Sequence, residues 1–241
     1  MKQMPNHDQA LSVIVPVGPG DQAWINLVED LRLLASDDEV VFVSGENELR
    51  EIARGLADVK LNVRMITSSF GRALQFNAGV TAASHEHLWF VHADSRIDAN
   101  TVAKTKAALA SARMPTVFFS RLKFLQDGPL LVKLNEWCVR IRSELLKIPF
   151  GDQAFAMTRE TYHLLGGFVL HAPYGEDHLL IWKAHELGIP VQSTGAVVMT
   201  SARKYSRRGW LMTTLNHVRL TLKQALPECV RIFRRRLGLF T

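Results

Sequence analysis

Short apolar runs rich in β-branched residues alternate, over the first ninety residues, with segments whose apolar positions recur every three or four residues. The runs are Leu11–Val17, Glu39–Val43, Asn62–Ile66 and Leu88–Val91. Runs of this length predict strands, and the three- to four-residue spacing between them predicts amphipathic helices. A βαβαβαβ order of this kind predicts an α/β fold in which a mostly parallel sheet carries helices on both faces.

The run Leu88–Val91 is expected to lie at the centre of the sheet, because four large apolar residues in succession are typical of a strand buried on both faces. His92 and Asp94 follow it directly. Two residues apart in an extended segment, their side chains point the same way. Open α/β sheets bind ligands beyond the carboxyl ends of their strands. The pair is therefore a candidate binding site, and an ordinary Asp-initiated turn is the alternative.

The second half of the chain has a less regular pattern. A glycine turn stands at Gly166–Gly167, and a polar, irregular loop begins at Pro149. The predicted strands are 117–119, 122–124 and Ala196–Thr200, and the predicted helices are Leu130–Lys147, Leu179–Leu187 and Trp210–Leu226.

Composition restricts the class of protein. With 241 residues and 47% hydrophobic content, the chain can bury a sizeable core. No apolar run approaches the roughly 18 residues that a membrane span needs, and the polar start lacks the apolar segment of a secretory signal. We therefore expect a cytoplasmic protein. Cys138 and Cys229 lack metal-type spacing, so free, buried thiols in a reducing compartment are expected. Trp137 is also expected to pack in the core.

Positive charge is concentrated at the C-terminal end. The net charge of the whole chain is +6, and residues 201–241 contain ten Lys/Arg and a single acid. Apolar residues are interleaved with these cations, which is typical of an amphipathic segment lying on an anionic membrane surface. A partner subunit or a solvated face would explain the pattern as well. No base-stacking or groove-reading module is visible, so nucleic acid is the partner expected least.

Seven motifs in order over residues 11–210 resemble family 2 glycosyltransferases of the GT-A fold. The likeness is greatest to a bacterial subgroup of small, single-domain enzymes. The motifs are Val13–Val17 (VIVPV), Gly71–Gly79 (GRALQFNAG), His92–Ser95 (HADS), Gly151–Gln153 (GDQ), Gly166–Phe168 (GGF), Glu176–Asp177 and Ser201–Tyr205 (SARKY). The resemblance implies an inverting enzyme that moves a sugar from a UDP- or GDP-sugar to an acceptor, which could be lipid-linked. It also implies three segments: a flexible N-terminus (1–10), a GT-A domain (11–205) and a basic amphipathic helical extension (206–241).

The resemblance implies a divalent cation, Mn²⁺ or Mg²⁺, at the end of the central strand. Negative charge grows on the leaving diphosphate, and a cation held by a carboxylate can neutralise it. Family members usually carry Asp-x-Asp here, and this chain has His92 in the first place and Asp94 in the second. Asp94 is the expected metal ligand. His92 is expected to support the metal, the ribose or the diphosphate, or to be only structural.

Further residues are expected to contact the nucleotide. Arg72 follows Gly71 at a predicted helix start, where a guanidinium and the helix N-terminus favour phosphate. Asn77 could reach the base or the ribose. In the resemblance, Pro16 and Val17 offer backbone groups to the nucleobase, and Glu46 stands where the family often has an acid facing the base or ribose. A solvated Arg72, a helix-surface Asn77 and a helix-start Glu46 are the structural alternatives.

The transfer needs a carboxylate that takes the proton of the acceptor hydroxyl. In the resemblance Asp177 has this role, supported by Glu176; an acidic pair stabilising a helix N-terminus would explain the position too. Asp152 and Gln153 would flank the acceptor or donor sugar, and Arg203 belongs to a cationic segment that could cover the diphosphate. The alternatives to an active enzyme are a catalytically weak module that binds nucleotide-sugar and a peripheral membrane protein with an α/β scaffold.

Overall fold

A computed structural model of the protein describes residues 10–172 and 174–236, without the side chains of residues 207, 208, 235 and 236. The strands are β1 (Leu11–Pro16), β2 (Glu39–Ser44), β3 (Val63–Thr67), β4 (His87–Phe90), β5 (Ser95–Arg96), β6 (Val117–Phe124), β7 (Ala156–Thr158) and β8 (Val191–Thr200). The helices are α1 (Trp24–Leu31), α2 (Glu46–Gly55), α3 (Arg72–Ala82), α4 (Ala99–Ser111), α5 (Val132–Arg140), α6 (Arg159–Leu165), α7 (Glu176–Leu187), α8 (Arg203–Arg208) and α9 (Trp210–Arg236).

The strands form one sheet in the order β3-β2-β1-β4-β7-β6-β8-β5. Strands β3, β2, β1 and β4 run parallel, as do β6 and β8, whereas β7 is antiparallel to both β4 and β6. Strands β1, β2 and β4 are buried along their whole length, which explains their continuous apolar runs. The predicted central position of residues 88–91 is confirmed, and so is the mostly parallel α/β fold.

Helices cover both faces of the sheet. One core lies between the sheet and helices α1, α2 and α4, and the other between the sheet and helices α3, α6 and α7. Glycine 79 of α3 faces the sheet so closely that a Cβ there would lie 2.3 Å from a methyl group of Ile14. The absence of a side chain at Gly79 therefore lets α3 approach β1.

Several expectations for the second half need correction. Residues 117–124 form one strand, whose register shifts between Phe119 and Arg121, instead of two strands. Helix α5 continues as a π-helical segment, Ile141–Leu145, and a single 3₁₀ turn covers Gly151–Gln153. Helix α9 runs through Pro227 to Arg236, beyond the predicted end.

Burial departs from expectation at three side chains. Cys138 and Cys229 are free, but both are exposed, so the prediction of buried thiols is wrong. Trp137 is 62% exposed instead of packing in the core, because it lies on the outer side of α5.

The expected flexible N-terminus lies outside the described residues except for Ala10, which is buried. No helix in the described ranges is both long and apolar enough to cross a bilayer. The division of the chain at residue 206 stays a prediction.

Candidate active site

The chain's own hydrogen bonds occupy the carboxyl ends of β1 and β2. The Val17 N–H donates to the Val43 carbonyl at 2.9 Å, and the Val17 carbonyl accepts from Ser44 Oγ at 2.7 Å. Gln75 Nε2, reaching in from α3, donates to the carbonyls of Val17 and Val43 at 2.8 Å each. Pro16 is buried within β1, and the N–H and C=O of Val17 have partners within the protein. A contact between the backbone of Pro16 and Val17 and a nucleobase stays a prediction.

Glu46 is the first residue of α2. Its carboxylate lies 3.3 Å from Arg50, one turn later, and its side chain is 73% exposed. This is the geometry of an ordinary surface ion pair at a helix start. A contact between Glu46 and a base or ribose stays a prediction.

Asn77 joins α3 to the glycine turn before α7. Its Nδ2 donates to the Phe168 carbonyl at 2.8 Å, and its Oδ1 accepts from the Phe168 N–H at 3.0 Å and from the Tyr162 hydroxyl. Both ends of the amide are thus engaged by the Gly166–Phe168 turn and its neighbour. These bonds give Asn77 a structural role in the turn, and its contact with the base or ribose stays a prediction.

His92 and Asp94 follow β4, as the sequence indicates. The His92 ring stacks on Phe76 of α3 with 5.9 Å between ring centroids. Burial, and then the Arg72 guanidinium, lower the pKa of His92, while Asp94 and Asp177 act in the opposite direction. A lowered pKa favours the neutral imidazole, which is the form that binds metals. Asp94 is partly exposed and lines a cavity.

Two helix N-termini meet beside this strand end. Arg72 is the first residue of α3, and Glu176 is the first of α7. Arg72 Nε lies 2.7 Å from Glu176 Oε1, with Glu176 largely buried and Arg72 half-exposed. Since a guanidinium has five N–H donors, this pair fixes Arg72 without using all of them.

Asp177 is held by the loop that contains the Gly-Asp-Gln motif. The Gly151 N–H donates to Asp177 Oδ2. A Cβ at position 151 would lie 2.9 Å from the same oxygen, so only glycine permits this approach. The contact orients one carboxylate oxygen of Asp177 and leaves the second for another partner.

Asp152 and Arg142 form a buried, incompletely paired couple next to Asp177. Asp152 Oδ1 and Arg142 Nε are both buried without a hydrogen-bond partner in the described part of the chain. The pKa of Asp152 is raised to about 6: burial is the largest cause, Arg142 acts against it, and Asp177 and Asp94 act in the same direction as burial. The Arg142 guanidinium stacks over Phe150, with Cζ 3.3 Å from the ring centroid. An unpartnered acceptor and an unpartnered donor are thus placed close to Asp177.

Gln153 has a supporting position. Its Nε2 donates to the Ser120 carbonyl at 3.0 Å, and its Oε1 accepts from the Phe150 N–H and from Arg142 Nη2 at 3.3 Å each. The residue is fully buried. The Gln153 amide therefore orients Arg142 and the loop, and a direct contact between Gln153 and a sugar stays a prediction.

A cavity of about 780 Å³ adjoins Asp94. One part of its lining comes from the loop 20–23 and Asn26, and another from Ser201, Arg203 and Lys204. Arg203 is 59% exposed, and its Nε donates to Ser201 Oγ at 2.8 Å. Cavities of several hundred Å³ with a few charged groups are typical ligand sites. The structure thus places Arg203 and Asp94 at one cavity.

Sequence reasoning missed four residues of this region: Gln75, Arg142, His178 and Gln224. Gln75 lies inside the GRALQFNAG motif, so the motif contained it without indicating its target. Arg142 lies in a segment with no motif, and the π-helical turn that aims it inward has no signal in the apolar spacing. Gln224 belongs to a tail whose most visible feature is its charge.

Solved structures with similar folds were found. A mannosyltransferase from Pyrobaculum calidifontis, in complex with GDP-Man and Mn²⁺, is 18% identical with a TM-score of 0.67, over 90% of this chain and 64% of that one. S. aureus TarS 1-349 in complex with UDP-GlcNAc is 20% identical with a TM-score of 0.58, over 80% and 58%. S. aureus TarS 1-349 without a named ligand is 19% identical, also with a TM-score of 0.58, over 80% and 60%.

The chain spans less than two thirds of the length of these solved structures. At such identities the likeness establishes the GT-A fold. No curated protein sequence matches the chain. The model of the family "Glycosyl transferase family 2" matches residues 12–170, a segment that contains the strands β1–β4, Arg72, His92, Asp94 and Asp152 and ends shortly before Asp177. The chain belongs to glycosyl transferase family 2.

Proposed function

We propose that this protein is a metal-dependent inverting glycosyltransferase that uses a UDP- or GDP-sugar. One observation carries the proposal: Arg72, Asp94 and the Glu176–Asp177 pair, far apart in sequence, converge at the carboxyl end of β4 beside a large cavity. Family membership supports it. So do the ligands of the similar structures, UDP-GlcNAc in one and GDP-Man with Mn²⁺ in the other.

The residues present fit a cation that arrives with the diphosphate. In residues 10–172 and 174–236, no three His, Cys, Asp or Glu side chains are arranged to hold a metal ion by themselves. Mg²⁺-type ions in nucleotide sites are bound by one or two carboxylates together with phosphate oxygens and water. Asp94 would be the carboxylate, and the imidazole of His92, which follows the same strand, would support it. When bound, the ion would neutralise the charge of the leaving diphosphate.

Asp177 is the proposed general base. The acceptor hydroxyl oxygen bonds to the anomeric carbon while the bond from that carbon to the diphosphate oxygen breaks, and the bonding pair leaves with the diphosphate. The acceptor proton passes to Asp177. Because Gly151 holds Oδ2, Oδ1 is the oxygen that would accept it. Arg72, Arg203 and Lys204 supply positive charge for the diphosphate.

Asp152 and Arg142 are proposed to bind the acceptor. A hydroxyl group both donates and accepts, and the two unpartnered atoms, Asp152 Oδ1 and Arg142 Nε, offer one acceptor and one donor. Buried polar atoms without partners are costly, so a ligand that satisfies them is favoured. An acceptor with neighbouring hydroxyls, such as a sugar or a polyol, matches this pair.

Calorimetry and turnover test the proposal together. UDP, GDP and their sugars are titrated into the protein with Mn²⁺ and with EDTA, and release of the nucleoside diphosphate is followed with candidate acceptors. We expect micromolar to millimolar binding that strengthens with metal, followed by diphosphate release. Binding without any turnover across donors and acceptors would favour the alternative of a nucleotide-sugar binding module. Absence of binding to every donor would contradict the proposal.

We also propose that the protein docks on the surface of an anionic membrane, at the cytoplasmic side, through α9. This helix has its polar side toward the body of the protein: Thr213 is buried, Trp210 Nε1 donates to Asn135 at 2.7 Å, and Arg231 lies 2.8 Å from Glu186. The apolar side faces outward. The exposed residues are Leu211, Met212, Leu215, Val218, Leu222, Leu226, Val230 and Phe233.

Charge complementarity favours lipid over a second copy of the chain. The exposed cations Arg219, Lys223 and Arg234 flank the apolar stripe of α9, and a membrane with anionic headgroups attracts cations placed beside inserted apolar side chains. The exposed Leu134 and Trp137 of α5 add apolar surface, since tryptophan prefers the interface between lipid and water.

Vesicle flotation tests the docking. The protein is expected to float with vesicles containing phosphatidylserine and to stay behind with pure phosphatidylcholine or at high salt. Leu215→Ser combined with Leu222→Ser should abolish flotation, whereas Leu33→Ser, an exposed leucine after α1, should not. A concentration-dependent dimer that the double variant disrupts, with no flotation, would identify a second copy as the occupant instead.

A further inference from the structure

Helix α9 is attached to the start of α7, the helix that carries Asp177, through the side chain of Gln224. Gln224 Nε2 donates to the carbonyls of Tyr174 and Gly175, both at 3.1 Å. Gly175 precedes α7 as its N-cap and has a φ of +64°. A Cβ at that position would lie 2.4 Å from Gln224 Oε1, so the amide packs directly on the cap.

The other end of the Gln224 amide belongs to a chain of side-chain hydrogen bonds. Trp182 Nε1 can only donate, and it lies 2.9 Å from His178 Nε2. His178 Nε2 must therefore accept, which places the ring proton on Nδ1. That proton is donated to Gln224 Oε1 at 2.7 Å. One tautomer of neutral His178 satisfies all three side chains, and burial lowers the pKa of His178, in agreement with the neutral form.

Gln224 holds the chain on both sides of Asp177, the residue proposed as the general base. Asp177 lies between Gly175, whose carbonyl is held by Gln224, and His178, whose ring is held by the same amide. The Gly175 carbonyl also accepts the first backbone bond of α7, from the Leu179 N–H at 3.0 Å, but Gly175 has no side chain to cap the helix. The side-chain contact at the cap therefore comes from α9.

We propose that Gln224 is a positioning residue for the general base. It holds the Gly175 cap and His178 so that Asp177 keeps its contact with Gly151 and points its free oxygen at the acceptor. The C-terminal helix then completes the active site instead of being an appendage. This inference rests on the proposed role of Asp177. It differs from the membrane proposal, because Gln224 lies on the inner side of α9 and the apolar stripe on the outer side.

Charged groups near His178 come from three elements. Asp177 lies on the same helix, Glu228 on α9 and Arg142 on the π-helical segment after α5; the first two raise the pKa of His178 and Arg142 lowers it. The bonds with Trp182 and Gln224 are complete only while the ring is neutral, since a protonated ring cannot accept from Trp182. Acid should therefore break the bond from Trp182 but keep the bond to Gln224, because Nδ1 of the protonated ring still donates to Oε1.

Gln224→Met tests the inference, since it removes the amide but keeps most of the volume. The rate of the chemical step, measured in single turnovers with saturating donor, is expected to fall about 100-fold, the scale of a small misplacement of a reacting group. Donor affinity by calorimetry should stay within about twofold of wild type, because no described residue of α7 or α9 lines the cavity at Asp94. Gln224→Glu keeps the acceptor for His178 and should recover part of the rate.

The matched control is Asn216→Ala, an exposed amide on the outer side of α9. It should leave the rate unchanged. A Gln224→Met protein that turns over like wild type would overturn the proposal, and so would equal losses in the two variants.

A readout without activity separates this inference from the proposed function. Hydrogen exchange of the amides in residues 175–179 should accelerate in Gln224→Met. The Nδ1–H proton of His178 should exchange faster with water and change its chemical shift, because it loses its acceptor Gln224 Oε1 while Trp182 keeps the tautomer. If the wild type shows no turnover, the proposed function fails, while these measurements still decide whether Gln224 holds the segment. Unchanged amide exchange together with an unchanged Nδ1–H signal would overturn the positioning role of Gln224.

Discussion

The two sides of the candidate site are built differently. On the side of the cavity, Asp94 and Arg203 are partly exposed, and only short local contacts hold them. On the side of the base, Asp177 and Asp152 are enclosed between α7, the 3₁₀ turn and Arg142, and Asp177 is fixed by the Gly151 N–H. The first side resembles a binding surface that a ligand completes. The second is organised before any ligand arrives.

This difference indicates how free energy is divided between binding and reaction. Substitutions on the cavity side should change the affinity for the donor. Substitutions on the base side should change the rate at constant affinity, because preorganised groups act on the transition state. Four predictions test this division.

Asp177→Asn should have the largest effect. The amide keeps the shape of the side chain but cannot take the acceptor proton, so the turnover rate should fall about 10²- to 10⁴-fold. Donor affinity, measured by calorimetry, should remain close to that of wild type. Asp98→Asn is the control, because Asp98 caps α4 and asparagine is an equally good N-cap, so both the stability and the rate should stay nearly unchanged. A folded Asp177→Asn protein with normal turnover would refute the role of the base.

Asp94→Ala should act on affinity. If Asp94 binds the cation, the gain in UDP or GDP affinity on adding Mn²⁺ should disappear, a loss of tenfold or more from one missing charged contact. Calorimetry with Mn²⁺ and with EDTA measures it. Asp21→Ala, a carboxylate at the same cavity, should keep the metal dependence. His92→Asp, which restores the usual acid, should keep it as well and tighten metal binding. Equal affinity in Mn²⁺ and EDTA for the wild type would exclude the assignment.

The transfer rate should depend on pH through the ionisation of Asp152. Its pKa is raised to about 6, so the ionised form that accepts from an acceptor hydroxyl is lost below that pH, and the rate should fall by up to tenfold for each further pH unit. Asp152→Asn should flatten this limb of the pH–rate profile.

As the pH rises, the stability that Asp152 contributes should fall, whereas the transfer rate should increase. A carboxyl group with a raised pKa in the folded state contributes stability below its unfolded pKa of about 4, and this contribution is lost as the pH rises through about 6. The melting temperature of Asp152→Asn should therefore gain on that of wild type between pH 4 and 7. Parallel pH dependences of the two proteins would contradict the burial of a titrating carboxyl group here.

Asn77→Ala should change neither rate nor affinity by more than about twofold. It should lower the free energy of unfolding by about 1–3 kcal/mol, since the Phe168 N–H and C=O lose their partner in a buried turn. Chemical denaturation measures the loss, and donor titration provides the comparison. A large loss of donor affinity with unchanged stability would instead support the predicted contact of Asn77 with the nucleotide.

The sequence indicated the fold because the relevant signals are local. A strand buried on both faces needs a continuous apolar run, and Leu88–Val91 is such a run. For the same reason, the positions of His92 and Asp94 at the end of a central strand followed from the sequence alone, as did the placement of Glu176 and Asp177 at a helix start. The structure of the irregular second half was harder to predict. Neither a strand with a register shift after Phe119 nor a π-helical turn produces a regular spacing of apolar residues.

The sequence by itself determined the α/β class, the strand ends and the set of charged residues available for chemistry. Only the tertiary structure decided which polar groups already have partners within the protein. Gln75 and Asn77 stand two residues apart in one motif, yet one closes the ends of β1 and β2 and the other holds the turn at Phe168. Gln224 lies in the C-terminal segment, whose most visible feature in the sequence is positive charge. Its side chain nevertheless contacts the cap of the helix that carries Asp177. A hydrogen bond depends on two groups meeting at about 3 Å with the right direction, and no periodicity in the chain records where residues 46 or 91 positions apart will meet.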